Sequence, residues 1–555
     1  MEILRKLRSV ERYTESIPCY LEGQELFLIR KATEERYLAV KDALMGLGFC
    51  ERSERKMGEV LFHVLVRGNE SLFCSFSPSD RFIRVVRELD HIFPQESPIE
   101  GTLCVNPLVT QLRGAYIRTD AGMGYLIRLC DGRFIMIDGF VGEYEEPEHL
   151  WDVISSQHVR EGKPVIAAWF VTHPHGDHYW GLAKFMEKFG DAVELRHLIY
   201  NFPRRDMVNF SKSDCFDAFV EAYRDKMEIY TPHAGERYMY ADASFDVLFT
   251  GEDMYPDRSL SCNSTSLVMR MELAGRSVLW LGDLKKDGGD FVAKRYPAEL
   301  LDCEFLQVGH HGYGINSKKL YRAVNPEVLM WPCADYWYPV VSLSEPNQLL
   351  LSHESIRVLD ICGQQEVTYD FTKPIEQTTP YREFSNGETV YSQHFEGTRV
   401  LDLWWNNVVG GASGYRPAVY ALENGVFTAK TTDEEAYSVI QFIQRGQMDL
   451  VPSFTLRVRG KCLHEDGVFG LFWNHPNVTV FDESALWEIP VSEDGSFDLL
   501  LVADAEAGSA SLCCNGAVVK TDRCERQKGS GLNFVLKRAE LSLYEIELVK
   551  GTSKA

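Results

Sequence analysis

Residues 173–178 contain four potential metal ligands in one short stretch, with the sequence His-Pro-His-Gly-Asp-His. The run Val165–Val171 before it is apolar and of strand length, and the residues after it have helical spacing. Pro174 and Gly176 favour a tight turn whose side chains need not alternate between opposite sides. Sheets in layered α/β folds carry ligand-binding residues at the carboxyl ends of their strands. The stretch therefore predicts an α/β fold with a metal site, since imidazole and carboxylate together bind zinc, iron or manganese.

Two later strand-like runs end in residues of the same kinds. Residues 277–281 are followed by Gly282-Asp283, and residues 305–308 by Gly309-His310-His311-Gly312. Five of the 15 histidines of the chain lie in the first stretch and in this last one. Such clustering argues against the alternative in which Asp177 only caps a helix beside incidental histidines. Strand ends that are distant in the sequence can meet at one rim of a layered sheet.

The three strand ends together resemble the metallo-β-lactamase superfamily of hydrolases, over roughly residues 105–380. The resemblance rests on His-x-His-x-Asp-His, then Gly-Asp after one strand and His-His-Gly after another. Residues 263–268, Asn-Ser-Thr-Ser-Leu-Val, look most like the branch that includes competence-type DNA-processing proteins and phosphorylcholine esterases. The resemblance implies an αββα sandwich for this part of the chain. Asp138 also matches a buried aspartate that is common in the superfamily.

The resemblance implies a site for two divalent metal ions, zinc first, with manganese or iron as alternatives. One ion would be bound by two histidines, the other by an aspartate and two histidines, and a further aspartate would bridge both ions. The implied ligands, in that order, are His173 and His175, then Asp177, His178 and His310, then Asp283.

Several other polar residues belong to this implied site. Asn263 stands where the superfamily usually has a third histidine on the first ion, so either its amide oxygen binds weakly or water takes the position. His311 is ambiguous with His310, because one of the two would bind metal and the other would face the substrate. Asp138 would hydrogen-bond a ligand imidazole and fix its tautomer. Two further histidines are outside candidates, better explained as surface or structural residues: His197 and His233.

The resemblance implies a hydrolase that uses a metal-activated hydroxide to cleave a phosphodiester, phosphoester or carboxylic ester in a small substrate. Its predicted catalytic residues are Asp177, His178 and Asp283. Two alternatives stay open: a glycan- or protein-binding protein with an inactive hydrolase core, and a nuclease that acts on short single strands. The formal net charge of -23 disfavours duplex nucleic acid as a partner, because a negative surface repels long polyanions.

Candidate substrate contacts are less specific than the metal motif. Aromatic residues near it either line a pocket or pack in the core, and two basic pairs either receive a phosphate or are solvated surface residues. These candidates are Tyr179, Trp180, Tyr313, Trp337 or Tyr338, Arg204-Arg205 and Lys285-Lys286.

The 555-residue chain is predicted to form three domains. Residues 1–100 predict a small α+β domain, and residues 101–380 carry the hydrolase-like α/β pattern. Residues 384–555 show short alternating strands separated by turn residues, which predicts an all-β sandwich.

The C-terminal strands resemble concanavalin-like jelly-roll modules, with Asn515-Gly516 as the turn of a strand pair. We interpret this domain mainly as a scaffold or dimerisation unit, so a second copy of the chain or a glycan is its predicted partner. Exposed tryptophans stack on sugars in such modules, although core packing explains the candidates here better. These candidates are Trp404, Trp405, Trp473 and Trp487.

The sequence predicts a cytoplasmic protein without a membrane partner. No run approaches the ~20 apolar residues of a membrane helix, and residues 1–8 contain no apolar segment of the kind found in signal peptides. The 14 cysteines include no C-x-x-C pair, which fits reduced thiols better than a disulfide framework.

Overall fold

The computed structural model of the chain describes residues 2–19, 24–91, 93–99, 104–113, 123–142, 145–204, 214–255, 261–333, 338–363, 366–375, 385–395, 405–409, 418–432, 436–443, 453–464, 466–472, 486–523 and 532–552. These residues divide into two units, one within residues 1–380 and the other within residues 381–555.

Two helices and six strands form the N-terminal part of the first unit. They are α1 (Glu2–Val10), β1 (Glu15–Pro18), β2 (Glu25–Ile29), α2 (Glu34–Met45), β3 (Cys50–Met57), β4 (Val60–Arg67), β5 (Glu70–Ser77) and β6 (Phe82–Leu89). The strands make one antiparallel sheet in the order β1-β2-β6-β5-β4-β3. Leu7, Tyr37, Val40 and Leu44 pack the two helices on one face of this sheet. Strand β3 has no strand-like apolar pattern, because it is an exposed edge strand with one buried residue, Met57.

The N-terminal sheet lies against the rest of the first unit through buried and half-buried polar contacts. Arg55 donates from Nη1 to the carbonyl of Gly235 (2.8 Å) and from Nη2 to Asp246 Oδ1 (2.7 Å). Arg84 donates from Nη2 to the carbonyl of Asp253 (2.6 Å). The predicted domain boundary at residue 100 therefore falls inside one compact unit, and the division into three domains stays a prediction.

Two further sheets form the centre of the first unit. The first runs in the order β13-β12-β11-β10-β9-β8-β21, where these are β8 (Leu108–Gln111), β9 (Tyr125–Arg128), β10 (Phe134–Ile137), β11 (Val165–Val171), β12 (Glu194–Tyr200), β13 (Glu228–Tyr230) and β21 (Val367–Asp370). The second runs β20-β19-β18-β17-β16-β15-β14-β7, where these are β7 (Gln95–Glu96), β14 (Arg237–Tyr240), β15 (Ala243–Phe249), β16 (Val268–Leu273), β17 (Arg276–Trp280), β18 (Phe305–Gln307), β19 (Val328–Trp331) and β20 (Val358–Ile361). Strands β10 to β13 are parallel, and so are β17 to β20.

Helices connect these strands. They are α3 (Glu146–Gln157), α4 (Gly176–Phe189), α5 (Asp214–Tyr223), α6 (Lys286–Arg295), α7 (Ala298–Leu301), α8 (Lys318–Ala323), α9 (Tyr338–Val341) and α10 (Glu345–Leu351). Short 3-10 helices span Gly251–Met254, Cys262–Thr265 and Gly309–Gly312.

The two central sheets face each other across one apolar core. Ile135 and Phe170 of the first sheet lie in the same buried cluster as Phe245 and Val278 of the second. Leu182 of α4 belongs to a second cluster, which joins α3, α4 and α5 to the opposite face of the first sheet. Strand β11 is buried at every residue because both its faces are covered, which explains its continuous apolar sequence.

The opposite face of the second sheet is buried as well. Leu279, Leu306 and Leu329 are inaccessible and alternate along their strands with residues of the shared core. Parallel strands need crossover connections, and those between β17, β18, β19 and β20 contain α6 to α10. The predicted layered α/β class is therefore confirmed for the central part of the first unit.

The described residues of the second unit form two antiparallel sheets and no helix. Their strands are β22 (Thr389–Gln393), β23 (Trp405–Val409), β24 (Val419–Glu423), β25 (Val426–Lys430), β26 (Tyr437–Ile443), β27 (Phe454–Leu463), β28 (Val468–Phe472), β29 (Trp487–Glu488), β30 (Ser496–Asp504), β31 (Ser509–Cys514), β32 (Ala517–Arg523), β33 (Leu532–Lys537) and β34 (Glu540–Lys550). One sheet runs β24-β25-β34-β27-β30-β31-β32, with β22 also paired to β34, and the other runs β23-β26-β33-β28-β29.

Aromatic side chains connect the two C-terminal sheets. Phe497 of β30 lies 4.9 Å from Phe469 of β28, and Phe427 of β25 lies 5.0 Å from Phe442 of β26, between ring centroids. These contacts confirm a β-rich unit built from two sheets, whereas the jelly-roll resemblance stays a prediction. The Asn515-Gly516 turn is confirmed, since both residues have the positive φ (51° and 79°) that a two-residue hairpin needs.

The predicted sugar-stacking tryptophans receive no support from the described residues. Trp487 is buried, at 5% exposure, so its ring is not available as an exposed platform. Trp404, Trp473 and the side chain of Trp405 lie outside the described residues. In the part of the chain that the structure describes, every helix is too short or too polar to cross a bilayer.

A buried carboxyl group in β20 predicts a pH-dependent stability. Asp360 is 2% exposed, and its Oδ2 accepts a hydrogen bond from Tyr369 (3.1 Å), while Oδ1 has no hydrogen-bond partner among the described residues. Burial raises the pKa of Asp360 to about 7. An aspartate in an unfolded chain has a pKa of about 3.9, so the folded protein loses stability as the pH rises from about 4 to about 7.

The Asp360→Asn variant is expected to be more stable than the wild type at pH 8, by up to about 4 kcal/mol, because the amide cannot ionise. At pH 4.5 the two proteins should unfold at nearly the same urea concentration. Urea unfolding followed by tryptophan fluorescence at both pH values checks this. An equal difference between variant and wild type at the two pH values would contradict it.

Candidate metal centre

The predicted metal motif forms the turn between β11 and α4. His173 follows the buried strand directly, and His175 is the N-cap residue of α4. Asp177 and His178 lie in the first helical turn, where a negative side chain is favoured by the helix dipole. The helix approaches the strand ends closely, since a Cβ on Gly181 would lie only 1.8 Å from the carbonyl oxygen of Gly139. Only glycine permits this approach, which places the four ligand-type side chains at the carboxyl end of β11.

Side chains from the other two predicted strand ends meet this turn. In each of two sets, the potential ligand atoms all lie within 4.8 Å of one another. Both sets contain Asp283, which follows β17, so the sets are neighbours that share one carboxylate. The first set is His173, His175 and Asp283, and the second is Asp177, His178, Asp283 and His311.

Asp283 is the central carboxylate of the two sets. Its Oδ2 lies 3.4 Å from His178 Nε2 and 3.6 Å from His173 Nε2, and its Oδ1 lies 3.5 Å from His311 Nε2. The preceding Gly282 has a φ of 53°, and a Cβ there would lie 2.8 Å from Thr172 Oγ1. A glycine is thus required for β17 to bring Asp283 against the turn after β11.

The structure places His311, and not the predicted His310, in the second set. His310 and His311 both have left-handed backbone angles (φ 49° and 52°), which turn His311 towards Asp177. The Nδ1 of His311 donates to the carbonyl of Pro332 (2.6 Å), so its Nε2 faces Asp177 Oδ2 at 3.3 Å. The Nε2 of His310 lies 2.8 Å from the amide of Asn263 and 3.8 Å from Asp283. The sequence does not distinguish the two adjacent histidines, because no residue type marks the backbone turn that directs their side chains differently.

Asn263 therefore contacts His310, at the edge of the centre. It lies in the 3-10 helix Cys262–Thr265, is 4% exposed, and its Oδ1 has no hydrogen-bond partner among the described residues. Neither of the two predicted alternatives for this position, weak ligation or a water, is decided by this contact.

A buried aspartate holds two of the motif histidines in place, as predicted for Asp138. Its Oδ2 accepts from His178 Nδ1 and from the Thr172 hydroxyl, and its Oδ1 accepts from the Thr172 amide, each at 2.8 Å. Because the Thr172 hydroxyl gives its proton to Asp138, it accepts from His173 Nδ1, at 3.2 Å. Both imidazoles thus carry a proton on Nδ1 and turn Nε2 to the centre. Neither Nε2 has a hydrogen-bond partner among the described residues.

The electrostatics of the centre keep its carboxylates ionised. Burial acts to raise the pKa of Asp283 and of Asp177, but His178 and His311 outweigh it and hold both pKa values well below the usual range. Burial lowers the pKa of His173 and of His175, so these imidazoles stay neutral. The carboxylates around His178 raise its pKa although burial acts to lower it, so a metal ion that binds this imidazole would displace a proton. Ionised carboxylates and neutral imidazoles are the forms that bind metal ions.

These observations fit divalent metal ions. The Nε2 atoms of His173, His178 and His311 converge with two ionised carboxylates, and the Nδ1 atoms of the same three imidazoles are hydrogen-bonded to a hydroxyl, a carboxylate and a carbonyl oxygen. The donor set contains nitrogen and oxygen only, which suits zinc, manganese or iron. Hence the residues that would hold the ions are His173, His175, Asp177, His178, Asp283 and His311.

Most other candidates lie away from the centre. Tyr179 and Trp180 pack in the core around α4, and Tyr338 packs on Trp331 (5.0 Å). His197 donates to or accepts from the Tyr240 hydroxyl at 2.9 Å, and Lys286 pairs with Asp290. Trp337 and Arg205 lie outside the described residues.

Two of the candidates do border the centre. The ring of Tyr313 lies 5.1 Å from that of His310. Lys285 comes two residues after Asp283 and is the N-cap residue of α6. These two residues are therefore the ones best placed to meet a substrate.

Replacing His311 or His310 by alanine should have different effects on metal content and on the rate of hydrolysis. We expect His311→Ala to lose one of two bound ions and to lower hydrolysis by about 10²-fold or more, because it removes a donor from the second set. His310→Ala should keep both ions, since its ring contacts Asn263. Metal content after gel filtration, with the rate of cleavage of an activated phosphodiester, distinguishes the variants. Equal metal loss in both would contradict the assignment.

A family model matches this part of the chain. Residues 118–313 match the metallo-beta-lactamase superfamily, whose members are metal-dependent hydrolases. No curated protein gives a significant match to the chain.

Solved structures show distant likenesses. The metallo-beta-lactamase fold protein YhfI from Bacillus subtilis is 13% identical, with 46% of this chain and 96% of that chain covered and a TM-score of 0.28. The short form of human tRNase Z is 14% identical, covering 40% and 91%, with a TM-score of 0.25. A galectin-like fold protein from Bacillus subtilis is 10% identical, covering 31% and 99%, with a TM-score of 0.23. These TM-scores are too low to carry an argument.

The family match and the centre agree in their residues. The matched range includes the turn after β11, the end of β17 and both histidines after β18. It also lies inside the range over which the motifs show the resemblance. Residues 118–313 therefore form a metallo-beta-lactamase superfamily domain.

Proposed function

We propose that the chain is a metal-dependent hydrolase that cleaves a phosphodiester, phosphoester or carboxylic ester bond in a small substrate. The observation that carries the proposal is the sharing of Asp283 by two adjacent donor sets. Divalent ions bound there would stabilise negative charge on a carbonyl or phosphoryl oxygen and make water acidic enough to attack near neutral pH.

The residues of the centre have different proposed roles in binding the ions and in positioning water. The Asp283 side chain is 3% exposed, and it supplies a fixed negative charge between the donor sets. The Asp177 side chain is 25% exposed and the His310 side chain 14%, so the centre is open on their side. Asp177 is thus the carboxylate positioned to orient a water molecule, while Asp138 keeps His178 in one tautomer.

The surroundings of the centre favour an anionic substrate. Lys285 is a cation two residues after Asp283, and Asn263 directs its amide group towards His310 Nε2. A single cation beside two metal ions suits a phosphate or carboxylate group of one small molecule. The chain as a whole, with its net charge of -23, does not attract a long nucleic acid.

Metal content and a substrate panel test the proposal together. The full-length protein is stripped with a chelator, reloaded with zinc or manganese, and assayed on chromogenic phosphomonoester, phosphodiester, carboxylic ester, lactone and thioester substrates. We expect the wild type to bind close to two equivalents of metal more than the double variant His178→Ala/Asp283→Ala, and to cleave at least one class, with activity lost in His178→Ala. The matched control is His158→Ala, which replaces a half-buried histidine bonded to the Gly162 carbonyl, away from the centre.

Other outcomes would favour the alternatives. A difference of less than about half an equivalent of metal between wild type and the double variant, against the two of a binuclear site, with no cleavage would reject the hydrolase and support a binding protein with an inactive core. Cleavage of short single-stranded oligonucleotides that falls steeply with salt would support a nuclease. Glycan binding or self-association through the C-terminal unit, and the cytoplasmic location, stay predictions that a glycan array, sedimentation analysis and fractionation can check.

A further inference from the structure

A second cluster of histidine and glutamate side chains lies where the N-terminal sheet meets the hydrolase domain. Glu88 is near the end of β6, and His91 follows that strand. His233 and Glu236 lie between β13 and β14, and Glu252 lies in the 3-10 helix Gly251–Met254. None of these residues belongs to the two sets around Asp283. The cluster is therefore a separate group of potential metal ligands.

Both imidazoles of the cluster point to one glutamate. Glu88 Oε2 lies 2.8 Å from His91 Nδ1 and 2.8 Å from His233 Nε2. The three potential ligand atoms from these residues all lie within 4.8 Å of one another. His91 and Glu88 have side chains that are 1% and 11% exposed, and the His233 side chain is 2% exposed. Three donors from distant parts of the chain thus converge in a buried position.

Each imidazole is backed by a second carboxylate on its other nitrogen. His91 Nε2 lies 2.9 Å from Glu236 Oε1, and His233 Nδ1 lies 2.9 Å from Glu252 Oε2. A metal-binding histidine almost always gives its second ring N–H to a carboxylate, a carbonyl or a water, which fixes the ring and increases its basicity. Both outer carboxylates occur here, one for each histidine.

Apolar rings enclose the two imidazoles. The centroid of Phe73 lies 4.1 Å from that of His233 and 4.7 Å from that of His91, and Phe93 lies 4.6 Å from His91. Packing of this kind restricts the rotation of both imidazoles, so their nitrogens keep their direction towards Glu88. A preorganised donor set loses little entropy when it binds an ion.

The charges of the cluster permit an exchange of protons for a metal ion. All four ring nitrogens face a carboxylate, so without an ion each ring carries two protons and a positive charge. Three carboxylates and two imidazolium ions leave one net negative charge in a buried place. One divalent ion in place of the two inner protons leaves the same net charge, because both imidazoles become neutral and keep their outer N–H.

We propose that Glu88, His91 and His233 bind one divalent metal ion, with Glu236 and Glu252 orienting the two histidines. The donors, two imidazoles and a carboxylate, suit zinc best among the common biological ions. Glu88 and His91 come from the N-terminal sheet, and His233 comes from the metallo-beta-lactamase superfamily domain. A bound ion would therefore link this sheet to that domain. The site does not depend on the proposed hydrolase activity.

Zinc binding to the full-length chain tests the site in a background where the hydrolase centre is disabled. In the double variant His178→Ala/Asp283→Ala, stripped of metal, we expect isothermal titration to show one equivalent of zinc bound at the cluster. Titrations in buffers of different ionisation enthalpy should give close to two protons released per ion. Adding His91→Gln should remove that equivalent. Adding His149→Gln, which replaces a histidine paired with Glu366 alone, should leave it in place.

Each result decides the proposal. No zinc equivalent in the double variant, an equivalent that survives His91→Gln, or binding without proton release would overturn it and leave a hydrogen-bonded ion network. If His91→Gln does not fold, the visible absorption of cobalt in the double variant decides instead, since the expected intense bands of a four-coordinate ion are absent when the cluster binds nothing. A failure of the hydrolase proposal appears separately, in the substrate panel and in the metal that the wild type binds beyond the equivalent held by the double variant.

Discussion

Replacing Asp283 by alanine is expected to release metal ions from the candidate metal centre and, under the proposed function, to lower the rate of hydrolysis by about 10³-fold. Asp283 is the carboxylate that both donor sets contain, and it faces the Nε2 atoms of His173, His178 and His311 within 3.6 Å. Without it, these buried imidazoles have no shared anion to offset the charge of two ions. Metal analysis of the purified variant and its rate on the best substrate of the panel provide the measurement.

A surface carboxylate supplies the control for this experiment. Asp302→Ala makes the same substitution at an exposed residue between α7 and β18. It should keep the metal content and the rate of the wild type. If Asp283→Ala retained the full metal content of the wild type and hydrolysed substrate within tenfold of the wild-type rate, the assignment of Asp283 as the shared ligand would be wrong.

The second large effect is expected at Asp138, which is inaccessible to solvent behind His178. Asp138→Ala leaves the Thr172 amide, the Thr172 hydroxyl and His178 Nδ1 without their buried acceptor. The loss of a buried charged partner of this kind costs about 3–5 kcal/mol. We expect the free energy of unfolding of the first unit to fall by that amount, measured by urea unfolding of the metal-free protein.

Asp138→Asn separates the positioning role from stability. Asparagine tolerates the left-handed backbone of this residue (φ 56°) and keeps one oxygen for Thr172, but it turns an amide group towards His178. We expect a smaller loss of stability than in Asp138→Ala, with zinc affinity lowered by about 10- to 100-fold. Wild-type zinc affinity in Asp138→Asn would show that Asp138 does not set the tautomer of His178.

Much of the hydrolase centre follows from residues that are close in the sequence. His173, His175, Asp177 and His178 are spaced by one tight turn, so their convergence needs only the strand before them and the helix after them. The strand end at Asp283 was also predictable from nearby residues, because the apolar run before it indicates a buried strand. The structure brings these five residues together as predicted.

The choice between His310 and His311 could not be made in this way. It depends on two successive left-handed residues, which neither side chain favours and which the surrounding contacts hold in place. The N-terminal strands show a related difficulty. Strand β3 is an exposed edge with almost no apolar alternation, so its pattern gives no strand signal.

The histidine–glutamate cluster at the N-terminal sheet could not be predicted from the sequence. His233 was a candidate for a surface or structural role, and nothing in the sequence connects it with Glu88 and His91, more than a hundred residues before it. Only the packing of β6 against the turn between β13 and β14 brings their side chains within hydrogen-bonding distance. Contacts of this kind depend on how separate sheets dock, which local patterns do not encode.

The sequence by itself determined the fold class of the central part, the metal motif and the strand that carries Asp283, because these depend on short-range periodicity and on residue types within single turns. Tertiary structure decided which of two adjacent histidines faces the metal ligands, that one aspartate orients both His173 and His178, and that a second histidine–glutamate cluster exists. Those features depend on the directions of side chains from elements far apart in the chain, and the packing of the sheets sets these directions.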